Sequence, residues 1–396
     1  MTNQPLRPVR APKPKEKKSP KFWLSVIGGS VAVVLVAISA IAITFLSQLS
    51  ATGIDVYDAD GDKYEAANIN GPVNILLIGS DSREGQGSTK YGPVGNALAD
   101  VVILLHLSQD RTNAVAISFP RDLMVEVPSC PNPDGGERFP PSDYMQLNAT
   151  MNNGGPACTL MTIQRLTGIN IPHLAMVDFK GVIAMSQAVG GVTVCLAEPI
   201  QDDYTQLYLD AGEHTLVGEQ ALAFLRTRHG VGDGSDLSRI SNQQVFLTSL
   251  MRKLKDRGTL TNPIAMFNLA SAALENMTLS KSLTNVATIL GMAQEVAKVD
   301  LDKITFIKLP VYSLSGDYAG RVGIIDDQAQ VLFDKLAADA PLVFAEPNIG
   351  QGATLSEEEQ AALDAAAEAG TEASTSEETL PDFIQGTRAD VETCSN

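Results

Sequence analysis

Arginines and aspartates lie in this chain where a phosphate-handling site would need them. Asp81 and Arg83 follow an apolar run in Gly79-Ser80-Asp81-Ser82-Arg83. Asp100 opens a second run, before Val101-Val102-Ile103, and Arg121 and Asp122 close a third in Ser118-Phe119-Pro120-Arg121-Asp122. In α/β sheets ligands gather at the carboxyl ends of strands. Asp81 and Arg121 therefore converge if their strands are parallel, and Asp100 joins them if its own strand is antiparallel.

A second cluster starts at Arg226-Thr227-Arg228-His229, passes a glycine-rich turn at 230–234 and continues through Asp236, Arg239 and Gln243. Asp236 is placed to cap the helix that follows. On that helix Arg239 and Gln243, four apart, continue the stripe of Phe246, Leu247, Leu250 and Leu254, so a charge and an amide point inward. A buried guanidinium without a partner is expensive. Its anion is either a ligand phosphate or a protein carboxylate, Asp233 or Asp236, and spacing leaves both open. Taken together, arginines at a helix N-terminus suit a pyrophosphate. Asp81 and Asp100 suit a Mg²⁺ shared with the same phosphates. Such a set performs phosphoryl transfer by positioning and charge. Walker, H-E-x-x-H and G-x-S-x-G motifs are absent, and the four histidines are not at metal-ligand spacing.

Short apolar runs at 73–78, 99–107, 114–119, 171–177, 192–196 and 304–309 read as strands. Helical patterns occupy 157–166, 180–189, 218–225, 241–255, 263–275, 282–298 and 326–336. This alternation predicts an α/β three-layer sandwich, a central mixed sheet covered by helices. Residues 22–46 carry no charge and are long enough to cross a bilayer. Seven basic residues and one acid precede them, which places residues 1–21 in the cytoplasm and the rest outside the cell membrane. A cleaved signal peptide is the rival reading, but its apolar core would be shorter. The expected organisation is a basic tail (1–21), a single transmembrane anchor (22–46), a linker (47–70), a catalytic domain (71–344) and a disordered acidic tail (345–396) in which 355–369 can form a helix. The tail has twelve acids and one base, and the whole chain carries −17. That charge excludes broad nucleic-acid binding. Cys130, Cys158, Cys195 and Cys394 suit two disulfides in an oxidising compartment, with the pairing open.

The motifs around Asp81, Asp100 and Arg121, then Leu147-Asn148-Ala149-Thr150, Gly154-Gly155-Pro156-Ala157-Cys158, Gly190-Gly191-Val192, Gly218-Glu219-Gln220-Ala221-Leu222 and Arg226-Thr227-Arg228…Asp236…Arg239…Gln243, resemble the LytR–CpsA–Psr family, with cysteines like those of its actinobacterial members. The resemblance implies a transferase. Such an enzyme moves a glycopolymer from a polyprenyl-pyrophosphate carrier to a cell-wall acceptor, peptidoglycan or a glycoprotein, through a phosphodiester. By family pattern Arg121, Arg226, Arg228, Arg239 and Gln243 hold the pyrophosphate, with Arg83 added here. Asp81 and Asp100 serve Mg²⁺, and Asp81 or Asp122 accepts a proton. Asn242 stands where many relatives have arginine, so one phosphate contact is expected to be lost or replaced by an amide. A prenyl tunnel would draw on Leu160, Ile163, Leu166, Phe179, Val182, Ile183 and Met185, and the proline-rich insert 130–143 would shape the cleft rim. Hydrolysis of a prenyl pyrophosphate and non-catalytic sensing of lipid-linked precursors use the same site and stay open.

Overall fold

A computed structural model describes residues 53–64, 71–82, 97–256, 262–344, 346–368 and 379–396. All of them belong to one compact unit, Leu49–Asn396. The expected basic tail, transmembrane anchor and Arg83 lie outside the described residues.

Among the described residues the central sheet has seven strands. They are β1 (Val73–Ser80), β2 (Ala99–Leu107), β3 (Ala114–Phe119), β6 (His173–Val177), β11 (Met277–Leu279), β12 (Ile304–Lys308) and β16 (Gly386–Arg388), ordered β11-β6-β1-β2-β3-β12-β16. β1 runs parallel to β6, and β3 to β12, while β2 is antiparallel to both its neighbours. The carboxyl ends of β1 and β3 and the amino end of β2 therefore share one edge. Gly79 lets β1 and β2 approach there, because a Cβ on it would lie 2.9 Å from Val101 Cβ. A second sheet holds β7 (Val192–Leu196), β10 (Gly212–Leu216), β15 (Ala353–Leu355) and β17 (Thr393–Ser395). Three hairpins complete the strands: β4 (Met124–Val127) with β5 (Ser142–Gln146), β8 (Ile200–Asp202) with β9 (Leu207–Leu209), and β13 (Val311–Ser313) with β14 (Val322–Ile324).

The pleat sends alternate residues to opposite faces. Leu76, Ile78, Val102, Leu104, Val115 and Ile117 join one core with α1 (Gly155–Thr167) and α7 (Asp326–Ala337). Leu77, Gly79, Val101 and Ile103 face a cavity under α2 (Phe179–Ala188), α3 (Glu219–Arg226), α4 (Asp236–Asp256), α5 (Pro263–Asn276) and α6 (Val286–Lys298). The mixed sheet with helices on both faces is the expected α/β arrangement.

The C-terminal segment corrects an expectation. It is folded: 346–368 and 379–396 carry β15, α8 (Glu357–Glu368), β16 and β17. β17 lies between β7 and β15, Cys394 is disulfide-bonded to Cys195, and Cys130 to Cys158. The segment lacks a periodic apolar stripe. It is held instead by strand pairing, a disulfide and single buried side chains such as Ile384, Ala389 and Val391. Gly352 (φ +87°) lies directly on the start of α4, where a Cβ would sit 2.6 Å from Ser238 O. Residues 53–64, expected as linker, also contact the body: Val56 is buried, and Tyr64 donates to Gln164 Oε1 at 2.8 Å.

Candidate active site

The shared sheet edge carries a compact charge network. Arg121, just past β3, donates from Nη1 to Asp100 Oδ1 at 2.6 Å. Its Nε lies 3.4 Å from Asp122 Oδ2 and 3.4 Å from Asp236 Oδ1. Asp236, in the first turn of α4, takes Arg239 Nη2 at 2.6 Å and Arg228 Nη2 at 3.1 Å. Arg239 Nη2 also donates to the Asp100 carbonyl at 2.8 Å. The conditional convergence of Asp100 with Arg121 is thus met, because β2 is antiparallel.

Asp236 does not cap its helix. Ser235 Oγ does, accepting from Ser238 N at 3.2 Å. That leaves the Asp236 carboxylate to gather three guanidiniums, so of the two candidate internal partners it is Asp236 that pairs. Asp233 is held locally by Ser235 and Ser238. The pairing is incomplete: Arg239 Nε and Asp236 Oδ2 are buried without a hydrogen-bond partner. Burial lowers the Arg239 pKa, yet a guanidinium stays charged in a protein. Burial also opposes the Arg121 charge, but Asp100, Asp122 and Asp236 outweigh it and raise its pKa.

Arg226, at the end of α3, rests on the Phe179 ring 4.3 Å from its centroid, a cation–π contact. Gln243 donates to the Leu225 carbonyl at 3.1 Å, which fixes the α3 terminus against α4. Asp122 takes the Gln146 amide and lies 3.6 Å from Arg321. Asp81 accepts from Leu98 N at 2.7 Å, at the same edge as Asp100.

Arg226, Arg239, Gln243 and Asp100 line one part of a cavity of about 410 Å³ whose other walls are almost entirely apolar. The α4 stripe of Phe246, Leu247, Leu250 and Leu254 lines it as expected, and so do Phe179, Val182 and Met185. Leu160 and Ile163 do not: they are buried in the core on the other face of the sheet, and Leu166 packs against that core. Ile183 is likewise absent from the lining. The remaining wall comes from α5 and α6, through Met266, Leu269, Ala273, Ile289 and Leu290. Their sequences show amphipathic helices but not which pair of faces is left unfilled between them.

At Asn242, of the two expected outcomes, the amide does not take over a phosphate contact. The residue is buried, donates to the Phe224 carbonyl at 2.6 Å and accepts from Ser395 Oγ at 2.6 Å. Its amide faces the C-terminal segment and does not line the cavity. No cluster of three metal-ligating side chains occurs among the described residues. Mg²⁺ needs only one or two carboxylates when phosphate oxygens and water complete its shell. Asp81 and Asp100, at one sheet edge, would be the carboxylates to meet that smaller demand, with Asp100 Oδ1 taken by Arg121.

The LytR_cpsA_psr family model matches residues 43–333. Among relatives, the chain is 32% identical over 325 residues to the probable cell wall biosynthesis protein LcpB of Corynebacterium glutamicum, covering 80% of this chain and 72% of that one. It is 28% identical over 370 residues to cell wall biosynthesis protein LcpA of the same organism, covering 84% and 70%. Among solved structures, a LytR-Csp2A-Psr enzyme from Actinomyces oris superposes with a TM-score of 0.53 at 24% identity, over 72% of this chain and 95% of that one. TagT bound to LI-WTA gives 0.52 at 20%, over 69% and 93%, and both show a shared fold.

Proposed function

The chain belongs to the LytR_cpsA_psr family, and from that premise we propose that it is a membrane-anchored transferase acting outside the cell. It moves a glycopolymer from a polyprenyl-pyrophosphate carrier to a cell-wall acceptor, peptidoglycan or a surface glycoprotein. The observation that carries this reading is the union of an arginine cluster with an apolar cavity. A prenyl pyrophosphate has the same two parts, a dianionic head and a hydrocarbon tail. The names of more distant relatives agree in kind: TagT of Bacillus subtilis, 23% identical over 75% of this chain and 89% of its own, is a polyisoprenyl-teichoic acid–peptidoglycan teichoic acid transferase.

In this reading the prenyl chain lies along α4 beneath α5 and α6. Arg121, Arg226, Arg228 and Arg239 receive the pyrophosphate, and Arg239 Nε gains the partner it lacks. Gln243 holds α3 and α4 together behind them, and Arg83, which follows β1 in the sequence, is assigned to the same head. Asp81 and Asp100 would hold Mg²⁺, which supplies positive charge beside the pyrophosphate when bound. An acceptor hydroxyl attacks the glycan-bearing phosphorus. The new O–P bond forms as the bond to the bridging oxygen breaks, and the electron pair leaves with the prenyl phosphate. The hydroxyl proton goes to a rim aspartate. Asp81, which follows β1 at the same sheet edge as Asp100, is preferred over Asp122.

The test uses the full chain in detergent with Mg²⁺ and a prenyl pyrophosphate, with and without glycan acceptor, beside an Arg121→Ala control. Removing a preorganised charge at such a centre lowers turnover by about 10²–10³-fold. Acceptor-dependent product that Arg121→Ala loses supports transfer. Phosphate release to water alone indicates a hydrolase, and tight binding with no turnover in either arm indicates a sensor.

A further inference from the structure

Three exposed tyrosines stand beside the charge network, on the side away from the cavity. Tyr144 lies on β5, Tyr312 on β13, and Tyr318 in the loop that joins β13 to β14; they are 44%, 52% and 46% exposed. The Tyr144 and Tyr318 rings meet edge to face, with centroids 4.9 Å apart at 88°. Tyr312 lies over Gly323 of β14, where a Cβ would come within 2.7 Å of the ring. The two hairpins are joined at the Leu123–Val322 bridge, and Val322 N donates to the Asp122 carbonyl at 3.1 Å. Gln146 is two residues beyond Tyr144 and so shares its side of β5, about 7 Å along the strand. The Gln146 amide is bonded to Asp122, whose other partners include Arg121. A continuous path therefore runs from the tyrosines to the reacting head.

The direction of attack decides what this patch is for. Attacking and leaving oxygens stand roughly in line across the transferred phosphorus. The leaving prenyl phosphate occupies the cavity, which opens on the face of Leu77, Val101 and Ile103. Leu123, Val125 and Val127 are buried in the core on the opposite face, and Met145, Val311 and Val322 pack against that core. The attacking hydroxyl must then enter from the hairpin side. Exposed tyrosine rings offer apolar faces with hydroxyl tips, rigid and amphipathic. They suit the alternating C–H and O–H surface of a sugar ring, and exposed Asp317, next to Tyr318 in the same loop, can take its hydroxyls.

Resting on the transferase reading, we propose that Tyr144, Tyr312 and Tyr318 form the docking platform for the saccharide acceptor, distinct from the seat of the donor. The platform delivers an acceptor hydroxyl past Gln146 and Asp122 to the phosphorus held by Arg121.

The experiment uses the full chain in detergent micelles and soluble, uncross-linked peptidoglycan glycan chains as probe. Saturation-transfer NMR and a titration compare wild type with Tyr144→Ala/Tyr318→Ala and with Tyr144→Phe/Tyr318→Phe. The alanine pair is expected to weaken glycan binding tenfold or more, while the phenylalanine pair keeps most of it. Geranylgeranyl pyrophosphate affinity should stay within twofold in both, which also reports that the variants fold. Equal glycan affinity in wild type and the alanine pair overturns the platform, as does no glycan binding by wild type. Displacement of the glycan chains by a lipid-free saccharide diphosphate assigns the tyrosines to the donor and overturns the acceptor assignment. Failure of wild type to bind geranylgeranyl pyrophosphate would instead sink the transferase reading, with the glycan arm still read separately.

Discussion

Asp236 is the residue on which the charge network turns. Its carboxylate is shared by Arg121, Arg228 and Arg239. A pyrophosphate would compete for the same guanidiniums. Removing one partner of a buried ion pair leaves uncompensated charge and costs about 3–5 kcal/mol. Here Arg121 and Arg228 are partly exposed, so about 2 kcal/mol is the expected loss in Asp236→Asn. Added pyrophosphate should recover part of it, so thermal melts should show a larger pyrophosphate-induced rise in the variant than in wild type. An equal rise would mean that the anion does not replace the carboxylate. At His173 burial dominates, and its pKa falls to about 4. In the unfolded chain the value is about 6.5. Below pH 6.5 the unfolded state takes up a proton that the folded state refuses, so stability declines as pH falls from 6.5 to 4. The ceiling is about 3 kcal/mol, at about 1.4 kcal/mol per unit. Denaturation across that window should flatten in His173→Gln.

At the scale of elements, α4 carries the argument. One face carries Arg239 and Gln243, then the apolar stripe, and the other is covered by the C-terminal segment. Arg239 to Leu254 is fifteen residues, about 22 Å of cavity wall. Leu254→Trp should therefore weaken long prenyl pyrophosphates several-fold and leave short ones within twofold, as read by titration with chains of graded length. The back of the helix is fixed by Asn242 to Ser395, by Arg252 to the Ala389 and Val391 carbonyls, and by Lys308 to Ser241. Asn242→Ala leaves the Phe224 carbonyl without this donor at a buried site and should cost about 1–3 kcal/mol. Chemical denaturation measures it, and pyrophosphate affinity should change little, because the amide lies outside the cavity.

At the scale of the whole molecule, the Cys195–Cys394 disulfide joins residues 199 apart and secures β17 to β7. Cross-linking a loop of that length removes much entropy from the unfolded chain, worth about 5 kcal/mol in the chain-entropy model. Cys394→Ala should lower the denaturation midpoint far more than a surface substitution does, with β17 the first element to lose amide protection in hydrogen exchange.

Much of the site was legible in the sequence. Alternating short apolar runs and helical stripes determined an α/β sheet, because periodicity reports which face of each element is buried. The spacing of Arg239 and Gln243 on the α4 stripe required that a charge and an amide face inward. Types alone pointed to phosphate: arginines, aspartates and a helix start. What tertiary structure decided were relations between segments distant in the chain. The antiparallel run of β2 brought Asp100 to Arg121. Ser235 took the cap, which freed Asp236 for the arginines. Packing placed α1 on one face and the cavity helices on the other, so Leu160 and Ile163 became core while Phe179, Val182 and Met185 became wall. The acidic C-terminal segment read as unfolded because its own sequence buries too little. It folds because strand pairing, a disulfide and the back of α4 supply partners that local composition does not record.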